Sequence, residues 1–137
     1  MVNNKPVLLI EDDEIDVMSL KKAFQKLDIP NEIIHANNGE RGLEILKSNE
    51  YEFGLVVLDL NMPLMGGIEC LDELNKQPEL KMVPIIVLST SNNLNDRIMA
   101  YERKVAGYFI KSMDFKEFLS IVESWKYYWG YSLPPVE

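Results

Sequence analysis

One cysteine, one histidine and no long apolar run set the first limits on this chain of 137 residues. Cys70 alone excludes an intramolecular disulfide, and His35 has no second histidine with which to share a metal. The apolar stretch within residues 1–10 is too short for a signal peptide or a membrane span, so a cytoplasmic location is expected with no membrane partner. Basic charge is scarce: 14 Lys and Arg stand against 22 Asp and Glu, for a formal charge of −8 at pH 7. Most of such a surface repels a phosphate backbone, which argues against direct nucleic-acid binding. No internal repeat or low-complexity stretch divides the chain, and its length predicts a single domain over residues 1–137, enough for one core without a structural metal.

What is present is organised around residues 55–67. Leu55, Val56, Val57 and Leu58 form an apolar run without polar alternation, the pattern of a strand buried on both faces of a parallel sheet. It ends on Asp59, and Pro63, Gly66 and Gly67 then force a loop before the next helix. Similar short runs at 7–10, 33–36, 85–88 and 108–110 predict four more strands. Between them, helical spacing picks out Ile15, Met18, Leu20, Ala23, Phe24 and Leu27; Leu43 and Leu46; Ile68, Leu71 and Leu74; and Leu94, Ile98 and Tyr101. The last helix carries Phe115, Phe118, Leu119, Val122, Trp125 and Trp129, with Asp114 and Glu117 spaced as a capping box and Gly130, Pro134 and Pro135 as its stop. Five strand and helix pairs without hairpin signals predict an α/β fold: a doubly wound, five-stranded parallel sheet in three layers, with an aromatic helical extension at about 123–137.

In that architecture the C-terminal strand ends share one rim, where ligands bind. The first strand ends at Glu11 and Asp12, the third at Asp59, the fourth at Ser89 and the fifth at Lys111. Three carboxylates in one cleft repel one another unless a cation joins them, and Mg²⁺ suits a few carboxylates, a carbonyl and retained waters. With that charge offset, Asp59 is placed to attack phosphorus and form an acyl phosphate, with Lys111 and Ser89 each holding a phosphoryl oxygen. Asp13 and Glu14 read more simply as partners of a helix N-terminus. Taken singly, Lys111 is a surface charge and Ser89 a helix cap; only the shared rim makes them a set.

At these positions the chain closely resembles the receiver domain of two-component response regulators. The matching pieces are Ile10-Glu11-Asp12-Asp13, Asp59-Leu60-Asn61-Met62-Pro63, Leu88-Ser89-Thr90 and Tyr108-Phe109-Ile110-Lys111. The resemblance implies a flavodoxin-like fold and a signalling domain rather than a turnover enzyme. It implies that Asp59 accepts phosphate from a histidine kinase or phosphotransfer protein, with Mg²⁺-dependent self-phosphorylation from a donor and slow autodephosphorylation. Mg²⁺ would be held by Asp12, Asp59 and the Asn61 carbonyl, with Glu11 in support. Ser89 and Tyr108 would act as the switch pair, and Asn61 and Ser91 would face the attacking water and tune hydrolysis. The segment Gln77-Pro78-Glu79-Leu80-Lys81 and the tail Trp125-Lys126-Tyr127-Tyr128-Trp129 look like the stand-alone regulators that partner bacterial phytochromes, which pair through the face built from the fourth helix, fifth strand and fifth helix.

Two departures stand out. Ser112 follows Lys111 where the family usually has proline, often after a cis peptide, and such a bond before a non-proline residue costs about 2.5 to 4 kcal/mol. Arg103-Lys104-Val105 replaces a turn that usually contains glycine, so a rebuilt turn is expected if Lys104 must be left-handed. His35 reads as a strand residue away from the rim, without a role, and Cys70 as inert packing. Tyr127, Tyr128 and Tyr131 fall off the core stripe and predict an interface for self-association or docking. An aspartate-based phosphatase would need a second acid two positions after Asp59, where Asn61 stands. A flavin or nucleotide carrier would need a phosphate-cradling loop after the first strand, where three acids stand. A receiver that only docks would find support in Ser112 but not in the presence of both Asp59 and Lys111.

Overall fold

The computed structural model describes residues 4–62 and 65–134; Pro63 and Pro135, used above as loop and stop signals, lie outside them. In chain order the elements are β1 (Val7–Ile10), α1 (Glu14–Lys26), β2 (Ile33–Ala36), α2 (Gly39–Lys47), β3 (Leu55–Leu58), α3 (Gly67–Asn75), β4 (Ile85–Ser89), α4 (Leu94–Glu102), β5 (Gly107–Ile110) and α5 (Phe115–Tyr131). A short 3₁₀ turn at Pro78–Leu80 precedes β4. All strand pairs are parallel and the order is β2-β1-β3-β4-β5.

Successive side chains on a strand point to opposite faces, so each central strand feeds two cores and needs apolar residues throughout. Leu8, Ile10, Val56, Leu58 and Val87 meet α2 and α3 through Leu43, Leu46, Leu71 and Leu74. Val7, Leu9, Leu55, Val57 and Ile86 meet α1 and α5 through Leu20, Phe24, Phe118, Val122 and Trp125. This is the expected three-layer arrangement. Gly67 permits a close approach at the acceptor loop: a Cβ there would stand 2.3 Å from the Leu60 Cα, and its N–H donates to the Leu60 carbonyl at 3.0 Å.

Several local expectations need correction. In α1 the buried residues are Val17, Leu20, Ala23 and Phe24, whereas Ile15 and Met18 are largely exposed. The stripe was too broad, because apolarity alone does not say which edge of it faces the sheet. In α4 the helix forms where its apolar spacing predicts, but only Ala100 is buried and Leu94, Ile98 and Tyr101 face outward. Helix α5 runs through Gly130 to Tyr131, since nothing there demands a left-handed residue. Asp114 caps α5 by accepting from the Lys116 N–H, but Glu117 does not reach back to it. Ser112 takes that part: its Oγ accepts from the Asp114 N–H and donates to Glu117, both at 3.2 Å. Among the described residues no peptide is cis, so the Lys111–Ser112 bond is trans.

The turn after α4 keeps its shape without glycine. Lys104 adopts φ 65°, its N–H donates to the Tyr101 carbonyl, and the Val105 N–H donates to the Ala100 carbonyl. That is the double-bonded left-handed cap, with buried Val105 and Ala100 in the same core cluster. The burial of Val105 holds Lys104 in a conformation its own side chain disfavours by about 1 to 2 kcal/mol.

Candidate functional site

The order of the sheet reverses between β1 and β3, and the acids lie at the C-terminal ends of these two neighbours, in the crevice where open α/β sheets bind ligands. Register pairs Ile10 with Leu58, so the residues that follow, Glu11 and Asp59, emerge side by side. Carboxylate oxygens of Glu11, Asp12 and Asp59 all lie within 4.8 Å of one another. Glu11 and Asp59 are buried, while Asp12 is exposed at the mouth.

Lys111 enters from the end of β5. Its Nζ stands 2.6 Å from Glu11 Oε1, 2.8 Å from Asp16 Oδ2 and 3.5 Å from Asp59 Oδ2. One ammonium among four carboxylates leaves the cluster strongly negative, and buried charge of one sign calls for a cation. Burial pushes the Glu11 carboxyl up to about 8 against the pull of Lys111, and the Asp59 carboxylate adds to the rise. Burial pulls Lys111 down, but its bonds to Asp16 and Glu11 and the charges of Glu11 and Asp59 outweigh that and hold it above the usual lysine value. Three close carboxylates with an open, exposed member form the oxygen donor set that a hard divalent cation takes.

The other expected residues gather on the same side. The Asn61 N–H donates to Asp59 Oδ1 at 3.2 Å, and its side-chain amide donates to Ser89 Oγ and Thr90 Oγ1, each at 3.3 Å. Fully buried Ser89 also accepts from the Ser91 N–H at 3.2 Å. The hydroxyl of half-buried Tyr108 donates to the Ser91 carbonyl at 2.9 Å, which joins the aromatic to the β4–α4 loop two residues from Ser89. The Ser91 hydroxyl donates to Asp96 in α4.

Two participants were not foreseen. Asp16 reaches Lys111 from the first turn of α1; its spacing from Glu11 carries no periodic signal, because the chain passes from strand to helix between them. His35 sits on β2 beside β1, and its Nε2 donates to the Glu11 carbonyl at 2.7 Å. Because a carbonyl only accepts, Nε2 carries the proton. The register of β2 on β1, rather than anything in the local sequence, brings His35 to the back of the acidic cluster. Cys70 is buried, as expected, and burial pushes its thiol up to about 12.

The family model of the response regulator receiver domain matches residues 7–123. The chain belongs to this family. It is 34% identical over 130 residues to the response regulator Rcp1 of Synechocystis sp., a match covering 91% of this chain and 88% of Rcp1. It is 31% identical over 134 residues to the probable methanogenesis regulatory protein FilR2 of Methanothrix harundinacea, covering 94% and 86% of the two chains. Among solved structures, the phosphorylated cyanobacterial phytochrome response regulator RcpA superposes with a TM-score of 0.88 at 30% identity, covering 96% of this chain and 98% of RcpA. The Mn²⁺-bound form of Rcp1 gives 0.84 at 33% identity, covering 96% and 99%. The protein is thus a receiver of two-component signalling: a phosphoacceptor that works with histidine kinases, not a turnover enzyme. Among the described residues no helix is long and apolar enough to cross a membrane.

Proposed function

We propose that this receiver is a single domain over residues 1–137 that stores its signal as an acyl phosphate on Asp59, in the cytoplasm. The observation that carries the reading is the position of Asp59: a buried carboxylate beside Glu11 and Asp12, 3.5 Å from one ammonium and braced by one backbone N–H. Mg²⁺ held by Asp12, Asp59 and the Asn61 carbonyl, with Glu11 in support, would offset charge on the transferring group. An Asp59 oxygen attacks phosphorus; the O–P bond forms as the P–N bond of a phosphohistidine, or the P–O bond of a small acyl phosphate, breaks. The departing imidazole or carboxylate carries the electron pair away. Lys111 supplies an ammonium for one phosphoryl oxygen, and Ser89 the hydroxyl that follows the group inward.

Phosphorylation adds about −1.5 to −2 charges at a site that already holds surplus negative charge. Drawing Ser89 toward the phosphoryl group strains its bonds with Asn61 and Ser91, and the Ser91 carbonyl is the acceptor for the Tyr108 hydroxyl. That chain of contacts carries the state of Asp59 to the outer face of β5. Asn61, whose backbone N–H bonds Asp59 and whose side-chain amide bonds Ser89, tunes slow autodephosphorylation.

The same face supplies the output. Leu94, Ile98 and Tyr101 on α4 and Ile110 on β5 are exposed, as are Tyr127, Tyr128 and Tyr131 on α5. An apolar surface of this kind fits a second copy of the chain. The kinase is of the phytochrome type, in keeping with RcpA, and no nucleic acid or membrane is bound directly.

The test is to incubate the protein and an Asp59→Asn variant with Mg²⁺ and a small acyl phosphate, then read intact mass and solution molecular weight. One added phosphoryl group on the native protein alone, stable in acid and labile in base, supports the acceptor. Doubling of molecular weight on phosphorylation supports the dimer. An unmodified native protein would leave a docking module as the better reading.

A further inference from the structure

The short contact between Lys111 and Asp16 has no part in the chemistry described so far. An ammonium has three N–H donors. Two are taken at close range by Glu11 (2.6 Å) and Asp16 (2.8 Å), and Asp59 is the most distant of the three partners at 3.5 Å. We infer that Asp16 is a resting tether for the phosphate-binding lysine, a positioning residue that competes with the phosphorylated acceptor for Lys111. This inference rests on Asp59 being the acceptor.

The two short partners differ in what happens when the lysine moves. The Glu11 side chain is 2% exposed, so losing the ammonium would leave a buried carboxyl group without its hydrogen-bond partner. The Asp16 side chain is 35% exposed and regains water as the contact opens. A cavity of about 70 Å³ borders the pair, lined in part by Asp16, Ser19, Leu88, Lys111 and Ser112. That is room for about two waters at the liquid share of roughly 30 Å³ each. The cavity opens on the loop where Ser112 stands in trans. When Asp59 gains a phosphoryl group the ammonium is therefore expected to keep Glu11, leave Asp16 and close on the new oxygens.

Because the tether stabilises only the unphosphorylated state, its loss favours phosphorylation. Asp16→Asn keeps the shape and a weaker neutral acceptor; it should lower the acyl-phosphate concentration that gives half-phosphorylation by about fivefold, the difference between a charged and a neutral hydrogen bond at a partly exposed site. Asp16→Glu restores the charge and should lie within about twofold of the native protein. Intact-mass titration with Mg²⁺ present reads both. A four-protein cycle combining Asp16→Asn with Lys111→Met, followed in urea without any donor, should show coupling between the two sites.

Equal donor midpoints for Asp16→Asn and the native protein would overturn the tether. So would strictly additive effects in the urea cycle, which is how a helix-terminal carboxylate with no link to Lys111 behaves. If no protein takes phosphate, the native one included, the acceptor reading fails; the tether fails with it as a regulatory device, even where the urea cycle shows that the resting contact exists.

Discussion

Replacing Lys111 by methionine keeps most of the stem and removes the only cation within reach of two buried carboxylates among the described residues. At an effective dielectric of about 20, the three separations of 2.6, 2.8 and 3.5 Å each correspond to about 5 to 6 kcal/mol of gross attraction, most of it cancelled by desolvation. What remains is the cost of stranding Glu11 and Asp59, about 3 to 5 kcal/mol for a broken buried pair, since Asp16 can turn to water. For a domain of this size that is a fall in Tm of roughly 15 °C. The loss must depend on pH. A carboxyl whose folded pKa lies above its unfolded value stabilises the fold when protonated; the contribution is complete below about 4.5 and disappears as pH rises toward the folded value of about 8. The metal-free native protein therefore loses this contribution between those limits. Lys111, held above its usual value, stays charged across the same window. Without Lys111 the Glu11 carboxyl rises further, so the gap between variant and native protein is smaller at pH 5.5, where Glu11 carries its proton in both and only Asp59 loses a charged partner, and largest at pH 8.5. Mg²⁺ at pH 8.5 should recover much of it. Urea unfolding at both pH values, with EDTA and then with Mg²⁺, measures all three. A penalty equal at the two pH values and indifferent to Mg²⁺ would mean that Lys111 contributes by packing and that its charge is incidental.

Further outcomes follow from the same contacts. Lys104→Gly relieves the residue at φ 65° and should raise stability by about 1 kcal/mol in chemical denaturation, with the phosphorylation midpoint unmoved. Gly67→Ala places a Cβ 2.3 Å from the Leu60 backbone and should cost about 3 kcal/mol or more while weakening Mg²⁺ binding, because Leu60 is the neighbour of Asp59. In α1, Val17→Ala should cost about 2 kcal/mol and Met18→Gln no more than about 0.5, which separates the buried edge of the helix from the exposed one.

The fold was legible because its signals are local. Runs such as Leu55–Leu58, apolar on every residue, have few stable places except the middle of a covered parallel sheet, and the capping and turn residues between them mark the helices. Once the sheet is parallel, the strand ends bring Glu11, Asp59, Ser89 and Lys111 to one rim with no further information. The structure alone decided what depends on register and rotation. Ile15 and Met18 are as apolar as Val17 and Leu20, and only the way α1 docks on the sheet turns them outward. The same holds for Leu94, Ile98 and Tyr101, which build a helix but no core. Lys104 is left-handed because burial of Val105 and two backbone bonds outweigh its preference. Asp16 and His35 reach the acidic cluster from α1 and β2, and no spacing in the chain announces either. Sequence pattern determines which segments are strand, helix and rim, because burial periodicity is written residue by residue. The partners of one ammonium are settled only when elements far apart in the chain are packed to within a few ångströms.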